Sequence, residues 1–410
     1  MATRLARIPL TKPQWIFLGL LTLSFSINYM DRGSISVASR LLENEFHIDP
    51  EQKGRLFSAF FWTYMLFQPV AGWLVDRFNV NRVYAIGFLV WSAATLVTGA
   101  ASGFVMLFCL RLILGMGESI AYPAASKILT GNFKEHQRGV ANAMIDAGSK
   151  TGPAIGVLLG GLMMNQYGWR IFFYAIGAAS LLWLIPWLMF APKKPVIVDE
   201  VVGKIPSIRE ICSKRAAWGT FIGLLCSNYV WYFMVTWLPD YFRNERHYSQ
   251  SEMAIFGSIP FWGVAASSLA GGFLSDRWIA SGASPNLVRK TFTGVGLGLA
   301  TLMLPAAMIK DSNLSLALLT VACLSFGLFT SNVWALTQTM SGPYAAGRWT
   351  GLQNFVGNFS GVLAPWLTGF IVKETGEFYL AFVATTFFLV CGTICFTVIV
   401  PKVEPIEWNA

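Results

Sequence analysis

The sequence predicts an all-α membrane protein whose twelve transmembrane helices form two pseudo-symmetric six-helix bundles. Three observations predict it: too little charge for a soluble surface, twelve apolar stretches of spanning length, and motifs that recur in the two halves. Of 410 residues, 55% are hydrophobic and only 12% are charged, against roughly 25% in soluble domains. A water-soluble enzyme needs more charge than this to stay dispersed. An aromatic content of 15% excludes a disordered chain.

A helix that crosses a bilayer takes about 20 mostly apolar residues. The stretches are 15–37, 55–75, 83–101, 104–130, 138–164, 169–191, 216–239, 252–275, 291–309, 314–340, 348–372 and 378–400. They are continuously apolar rather than alternating at period two, which argues against a barrel. The basic start (Arg4, Arg7, Lys12) leads into a run too long for a signal peptide and without a cleavage site, so the first helix is expected to stay. With both termini inside, 18 of the 30 Lys and Arg fall in inside loops and 8 in outside loops. The net charge of +9 is then mostly positive-inside bias rather than a nucleic-acid footprint. A multi-pass protein of the cell inner (cytoplasmic) membrane with cytoplasmic termini is expected, the lipid bilayer and a small molecule being its partners. The six cysteines are scattered without metal or redox spacing, and His47, His136 and His247 fall in loops. No metal, no cofactor and no enzymatic chemistry is expected.

The longest polar interruption, 192–215, separates an amino-terminal bundle (1–191) from a carboxy-terminal one (216–410). Gly72-Trp-Leu-Val-Asp76-Arg77 ends the second stretch and Gly272-Phe-Leu-Ser-Asp276-Arg277 ends the eighth. Gly148, Gly152 and Gly160 are echoed by Gly357, Gly361 and Gly369. Glycine lets helices approach closely, and an Asp-Arg at a helix end can engage neighbouring helix dipoles. Positive-inside flanking accounts for Arg77 and Arg82 alone; the spaced Gly and Asp, occurring twice, point to gating.

The doubled motif, the helix count and the central linker resemble the major facilitator superfamily. Tyr29-Met-Asp31-Arg32 in the first helix and Arg111-Leu-Ile-Leu-Gly115-Met-Gly-Glu118-Ser-Ile-Ala-Tyr122-Pro123 in the fourth resemble the Y-x-D-R and R-x-x-x-G-x-x-E-x-x-x-x-P of its anion:cation symporter branch. That branch includes bacterial sugar-acid and aromatic-acid proton symporters and sialin-like carriers. The resemblance implies a substrate site lined by Arg32, Tyr29, Tyr64, Ser149, Ser331 with Trp334, and Asn354. Ser149 stands where the relatives have a glutamine, and Lys150 flanks it, which favours an anion with more charge or more aromatic character than a simple sugar acid.

A charge in hydrocarbon costs ~2.5–3.5 kcal/mol on insertion scales, so each buried one needs a partner or a water-filled cavity. Asp31, Arg32, Arg111, Glu118, Lys127, Asp146 and Lys150 all lie in the first six helices. At about 1.5 Å of rise per residue, Asp31 and Arg111 lie roughly 9 and 10 Å from the outer end and are expected to pair. Glu118 is two turns past Arg111 on the same face, level with Lys150, and Asp146 is at i,i+4 to Lys150. Two readings stand: a proton relay (Asp31, Glu118, Arg111) beside an anion site (Arg32, Lys150, Asp146), or mutually neutralising pairs that only fix packing. Lys127, near the inner end, is expected to snorkel. Asn228, Tyr229, Trp231 and Tyr232 are candidates for a further edge of the cavity, with Trp231 and Tyr232 alternatively interface aromatics.

The expected function is a proton-coupled symporter importing an organic carboxylate by rocker-switch alternating access, functional as a monomer. The alternative is a proton-driven antiporter exporting a drug-like compound or exchanging organic anions. Gly148-x-x-x-Gly152-Pro153-x-x-Gly156 resembles a drug-exporter motif, and close helix packing explains the same spacing.

Overall fold

The computed structural model describes residues 10–48, 50–191, 205–248, 256 and 259–408. Arg4, Arg7, most of the expected linker and the start of the eighth stretch lie outside the described residues. All regular structure among the described residues is helical, as hydrocarbon demands of a backbone that must bond to itself. The helices are α1 (Lys12–Phe46), α2 (Pro50–Arg77), α3 (Val80–Thr98), α4 (Phe104–Glu118), α5 (Ala121–Asn132), α6 (Glu135–Leu182) and α7 (Leu184–Phe190) in the amino-terminal half. After the short α8 (Ile208–Cys212) come α9 (Arg215–Asn244), α10 (Ile259–Ala280), α11 (Pro285–Ala300), α12 (Met303–Met308), α13 (Ser312–Gly357), α14 (Ser360–Thr375) and α15 (Tyr379–Ile394). One π turn, Cys395–Ile399, extends α15.

The breaks have local causes. Pro123, Pro186 and Pro305 each lack the N–H that would bond the carbonyl four residues back. Those carbonyls belong to Ser119, Leu182 and Thr301, where α4 gives way to α5, α6 to α7 and α11 to α12. Two long runs instead turn at a glycine: Gly168 (φ 81°) inside α6 and Gly342 (φ 63°) inside α13. Both φ values fall where a Cβ is disfavoured.

Seven helical segments among the described residues are long and apolar enough to cross a membrane. One of them, Ser312–Val372, has 61 residues, which at about 1.5 Å each is too long for one crossing of a core about 30 Å thick. Large apolar side chains such as Leu188, Trp366 and Phe387 are 68%, 65% and 63% exposed. Such a surface suits lipid and would aggregate in water.

The two halves are tied at the end of the molecule that also carries residues 10–14 and the segment 401–408. Asp76 accepts hydrogen bonds from the backbone N–H of Gly347 (3.3 Å) and Arg348 (2.7 Å). Asp276 accepts from those of Gly139 (3.0 Å) and Val140 (2.7 Å). The repeated motif thus builds the same latch twice, α2 on α13 and α10 on α6. Each aspartate also meets a cation: Lys127 Nζ at 3.0 Å from Asp76, and Arg289 Nη2 at 3.1 Å from Asp276. Lys127 therefore does not snorkel; it joins the Asp76 latch and donates to the Pro343 carbonyl as well. Arg77 and Arg277 are exposed and take no part in either latch.

Glycine is required at the crossing points because backbone meets backbone. A Cβ on Gly72 would lie 2.6 Å from the Gly347 carbonyl oxygen, and one on Gly272 would lie 2.6 Å from Ala143 Cβ. Both are closer than van der Waals contact allows. Gly272→Val is therefore expected to part the halves at this end while leaving each half folded. A cysteine introduced at Thr339, which is 5% exposed and bonded to Glu135 across the gap, should then react faster with a water-soluble maleimide than in the Gly272 background. An unchanged rate would show that the crossing does not hold this end shut.

Candidate functional site: paired charges in a cavity between the halves

A cavity of about 60 Å³ lies between the halves, away from the latched end. The amino-terminal wall is charged and the carboxy-terminal wall is polar and aromatic, as the charge distribution predicts. Of the residues expected to contact substrate, Arg32, Tyr29, Tyr64, Asp146, Lys150, Trp334 and Asn354 line it.

Two expected lining residues do not. Ser149 is fully buried and its hydroxyl donates to the Asp146 carbonyl at 2.7 Å, so it serves its own helix. Ser331 is also fully buried; its neighbour Thr330 lines the cavity instead, one helical step of about 100° apart. Tyr229 turns away and stacks on Phe388 at 3.9 Å, while Asn228, Trp231 and Tyr232 do line the cavity.

Arg32 sits at the centre of the charged wall. Its Nε donates to Glu118 Oε2 at 2.5 Å. Its guanidinium carbon lies 4.5, 4.9 and 4.3 Å from the ring centroids of Tyr29, Phe60 and Tyr64. An aromatic sleeve of this kind stabilises a cation that water has left. Glu118 is 0% exposed, and its position is set by the break that Pro123 imposes just after it. Arg32 Nη2 and Glu118 Oε1 are buried without a hydrogen-bond partner.

The expected Asp31–Arg111 pair is not formed. Neither carboxylate oxygen of Asp31 has a hydrogen-bond partner, and Arg111 Nε has none either. Arg111 instead lies under the Phe60 ring, 5.1 Å from its centroid. Matched depth placed the two level with each other, but depth does not fix azimuth. Arg32 takes the helix 4 carboxylate because it is one step further round α1.

Nor does Lys150 meet Glu118. Its Nζ is 3.4 Å from Asp146 Oδ1 and 3.5 Å from the Trp231 ring centroid. Asp146 Oδ2 accepts from Ser268 Oγ of α10 and Thr330 Oγ1 of α13, each at 2.8 Å. Asp146 is thus a tie across the halves at the level of the cavity. Tyr122, Ser268, Thr330 and Asn358 were not singled out as site residues from the sequence. Tyr122, hydrogen-bonded to Tyr29 at 3.0 Å and stacked on Trp334 at 5.0 Å, was findable: it is four residues past Glu118, on the same face. Ser268 and Thr330 are small polar residues in apolar helices, Asn358 sits in the turn after α13, and none of the three gives such a signal.

The glycines of α6 pack against α1. A Cβ on Gly148 or Gly152 would strike the Thr22 or Ser26 carbonyl, and one on Gly156 would come within 3.0 Å of Met30 Cγ. Close packing accounts for the drug-exporter-like motif. The echo at Gly357, Gly361 and Gly369 meets side chains only.

A family profile described as Major Facilitator Superfamily matches residues 21–365. The chain belongs to that superfamily. It is 28% identical to the probable galactarate/D-glucarate transporter GudP of Bacillus subtilis, over 90% of this chain and 88% of that protein. Identity to the probable sulfoacetate transporter SauU of Cupriavidus necator is also 28%, over 93% of each. Identity to the hexuronate transporter of Bacillus subtilis is 27%, over 87% of each. The fold is similar to that of a variant of the Escherichia coli fucose:proton symporter FucP, with a TM-score of 0.70 at 13% identity over 92% of this chain and 97% of that one. It is also similar to a bacterial homologue of the human lysosomal transporter Spinster, with a TM-score of 0.58 at 20% identity over 95% of each chain. The chain is therefore a multi-pass member of a membrane-transporter family.

The pairing can be tested by stability. Breaking a buried pair from one side costs about 3–5 kcal/mol because a charge is left uncompensated. Arg32→Gln and Glu118→Gln should each lower the unfolding temperature in detergent, and the double variant should recover most of the loss. The Asp31→Asn/Arg111→Gln cycle should show much weaker coupling; equal coupling in both cycles would contradict the pairing described here.

Proposed function

We propose that this protein is a proton-coupled symporter that imports an organic carboxylate anion across the cell inner membrane. The two halves rock about the cavity, with both termini cytoplasmic and twelve spans in two six-helix bundles. It works as a monomer without a cofactor. The observation that carries the reading is the buried Arg32–Glu118 pair on the cavity wall, with Arg32 Nη2 left unpartnered. The named relatives support an organic anion as the substrate class.

The geometry supplies a coupling rule. Buried Arg32 requires one anion beside it. While Glu118 is charged it fills that role; when Glu118 takes up a proton, a substrate carboxylate replaces it with the fork geometry that arginine favours. One proton then accompanies each carboxylate bound at Arg32. Charge in the pocket stays balanced through the cycle, which lets the loaded halves rearrange without stranding a bare cation. With the termini cytoplasmic, the Asp76 and Asp276 latches close the inner side and the cavity is presented outward.

Arg32→Lys keeps the charge but loses the two-pronged geometry, and is expected to weaken substrate binding in a titration with purified protein. The coupling rule is tested with Glu118→Gln, a permanent mimic of the protonated form. In liposomes this variant should still exchange labelled for unlabelled substrate, because Arg32 is free to bind it. Uptake driven by a pH gradient should vanish, because no proton can be released. Loss of both activities in folded protein would reassign Glu118 to binding or structure. Retained gradient-driven uptake would move coupling to Asp31 or Asp146.

A further inference from the structure

We propose that Lys150 is a second anion seat and that the substrate is a dianion, one charged end at Arg32 and the other at Lys150. The inference rests on the reading of the cavity as an organic-anion site and narrows it. Both cations of the cavity lining have a carboxylate partner, Arg32 the fully buried Glu118 behind it and Lys150 the lining residue Asp146, and the two pairs are built differently.

The Lys150 pair is loose where the Arg32 pair is tight. Charge-assisted N–H···O bonds run to about 2.7–2.9 Å, whereas Lys150 Nζ stands 3.4 Å from Asp146 Oδ1. Asp146 is already held by two hydroxyls of the other half, both at 2.8 Å on its second oxygen. Its orientation is therefore set by Ser268 and Thr330 rather than by Lys150. An ammonium has three N–H donors, and among the described residues no acceptor other than Asp146 takes one from Lys150. What keeps the ammonium in the cavity is the face of Trp231, 3.5 Å away on α9. That contact stabilises the charge without using its hydrogen bonds.

Apart from Arg32, Asp146 and Lys150, the lining carries no formal charge. Tyr29, Asn228, Tyr232, Asn354 and Asn358 supply hydroxyl and amide groups to it, which suits a substrate whose middle is polar and neutral. A monoanion bound at Arg32 leaves the donors of Lys150 unused. A dianion uses both cations, and the second negative charge meets a lysine that Asp146 neutralises only in part.

The test compares matched anions that differ by one charge: D-glucarate with D-gluconate, succinate with butyrate, and sulfoacetate with acetate. Binding is measured by calorimetry on the full chain in nanodiscs. A hydrogen bond to a charged group is worth enough that Lys150→Gln should weaken binding of the preferred dianion roughly tenfold or more, with its monoanion partner changed less than about twofold. Lys150→Gln with Asp146→Asn guards against misfolding from a stranded buried carboxylate, and should show the same loss of preference. Asp146→Asn alone should keep or improve dianion binding, because a competitor for Lys150 is gone. An unchanged dianion-to-monoanion ratio in the Lys150 variants, or wild-type protein that binds monoanions at least as tightly, overturns the second seat and leaves the organic-anion reading intact. Wild-type protein that binds none of the six overturns both.

Discussion

Hydrocarbon offers a charge nothing to bind, and in this chain that constraint falls most heavily on Arg32 and Glu118. Glu118 has no solvent exposure and Arg32 very little, so each is tolerable only beside the other. Much of the amino-terminal half is arranged around that contact. The helix containing Glu118 breaks immediately after it because of Pro123. Phe60 and Tyr64 of α2 and Tyr29 of α1 wrap the guanidinium. The glycines of α6 bring its backbone against α1, which fixes where Arg32 stands. Neither charge could be left in the fold without the other.

The interface between the halves follows a different economy. Its polar contacts include hydrogen bonds from backbone amides and hydroxyls to three aspartates: Gly347 and Arg348 to Asp76, Gly139 and Val140 to Asp276, Ser268 and Thr330 to Asp146. Each contributes modestly, and each can be exchanged for water at small net cost. The two latches share their aspartates and glycines but not their cations. Lys127 approaches from α5, while fully buried Arg289 comes from α11 and also binds Ser275, Asn332 and Glu135. The Asp276 side is thus the more heavily bonded of the two, and pseudo-symmetry of sequence has not produced symmetry of strength.

Much of this was legible in the sequence. Lack of charge and long apolar runs require helices in a bilayer, because no other open structure satisfies its backbone there. The spaced Gly and Asp of the repeated motif are both used, at both ends of the duplication. Arg32, Tyr29, Tyr64, Lys150, Asp146, Trp334 and Asn354 reach one cavity, because residues at similar depth on inward faces of helices must converge. Ser149 turns its hydroxyl onto its own helix backbone and Ser331 is buried beside Asn332, whose amide donates to it; nothing in the residue type announces either outcome.

What the sequence determined by itself was the class of structure and the charges deep in the first six helices, since both follow from the cost of transferring side chains and backbone out of water; that Arg289, counted with an inside loop, is fully buried was decided by the tertiary structure. The i,i+4 spacing of Asp146 and Lys150 gave their pair from the sequence, but which charges pair between helices was decided only by the tertiary structure. Position along a helix gives depth, and depth predicted Asp31 with Arg111 and put Glu118 level with Lys150. Pairing also needs azimuth and the distance between axes, and these are set by how close neighbouring backbones pack. With α6 drawn onto α1 by its glycines and α4 broken at Pro123, the guanidinium that reaches Glu118 is Arg32, and the carboxylate that reaches Lys150 is Asp146 on its own helix.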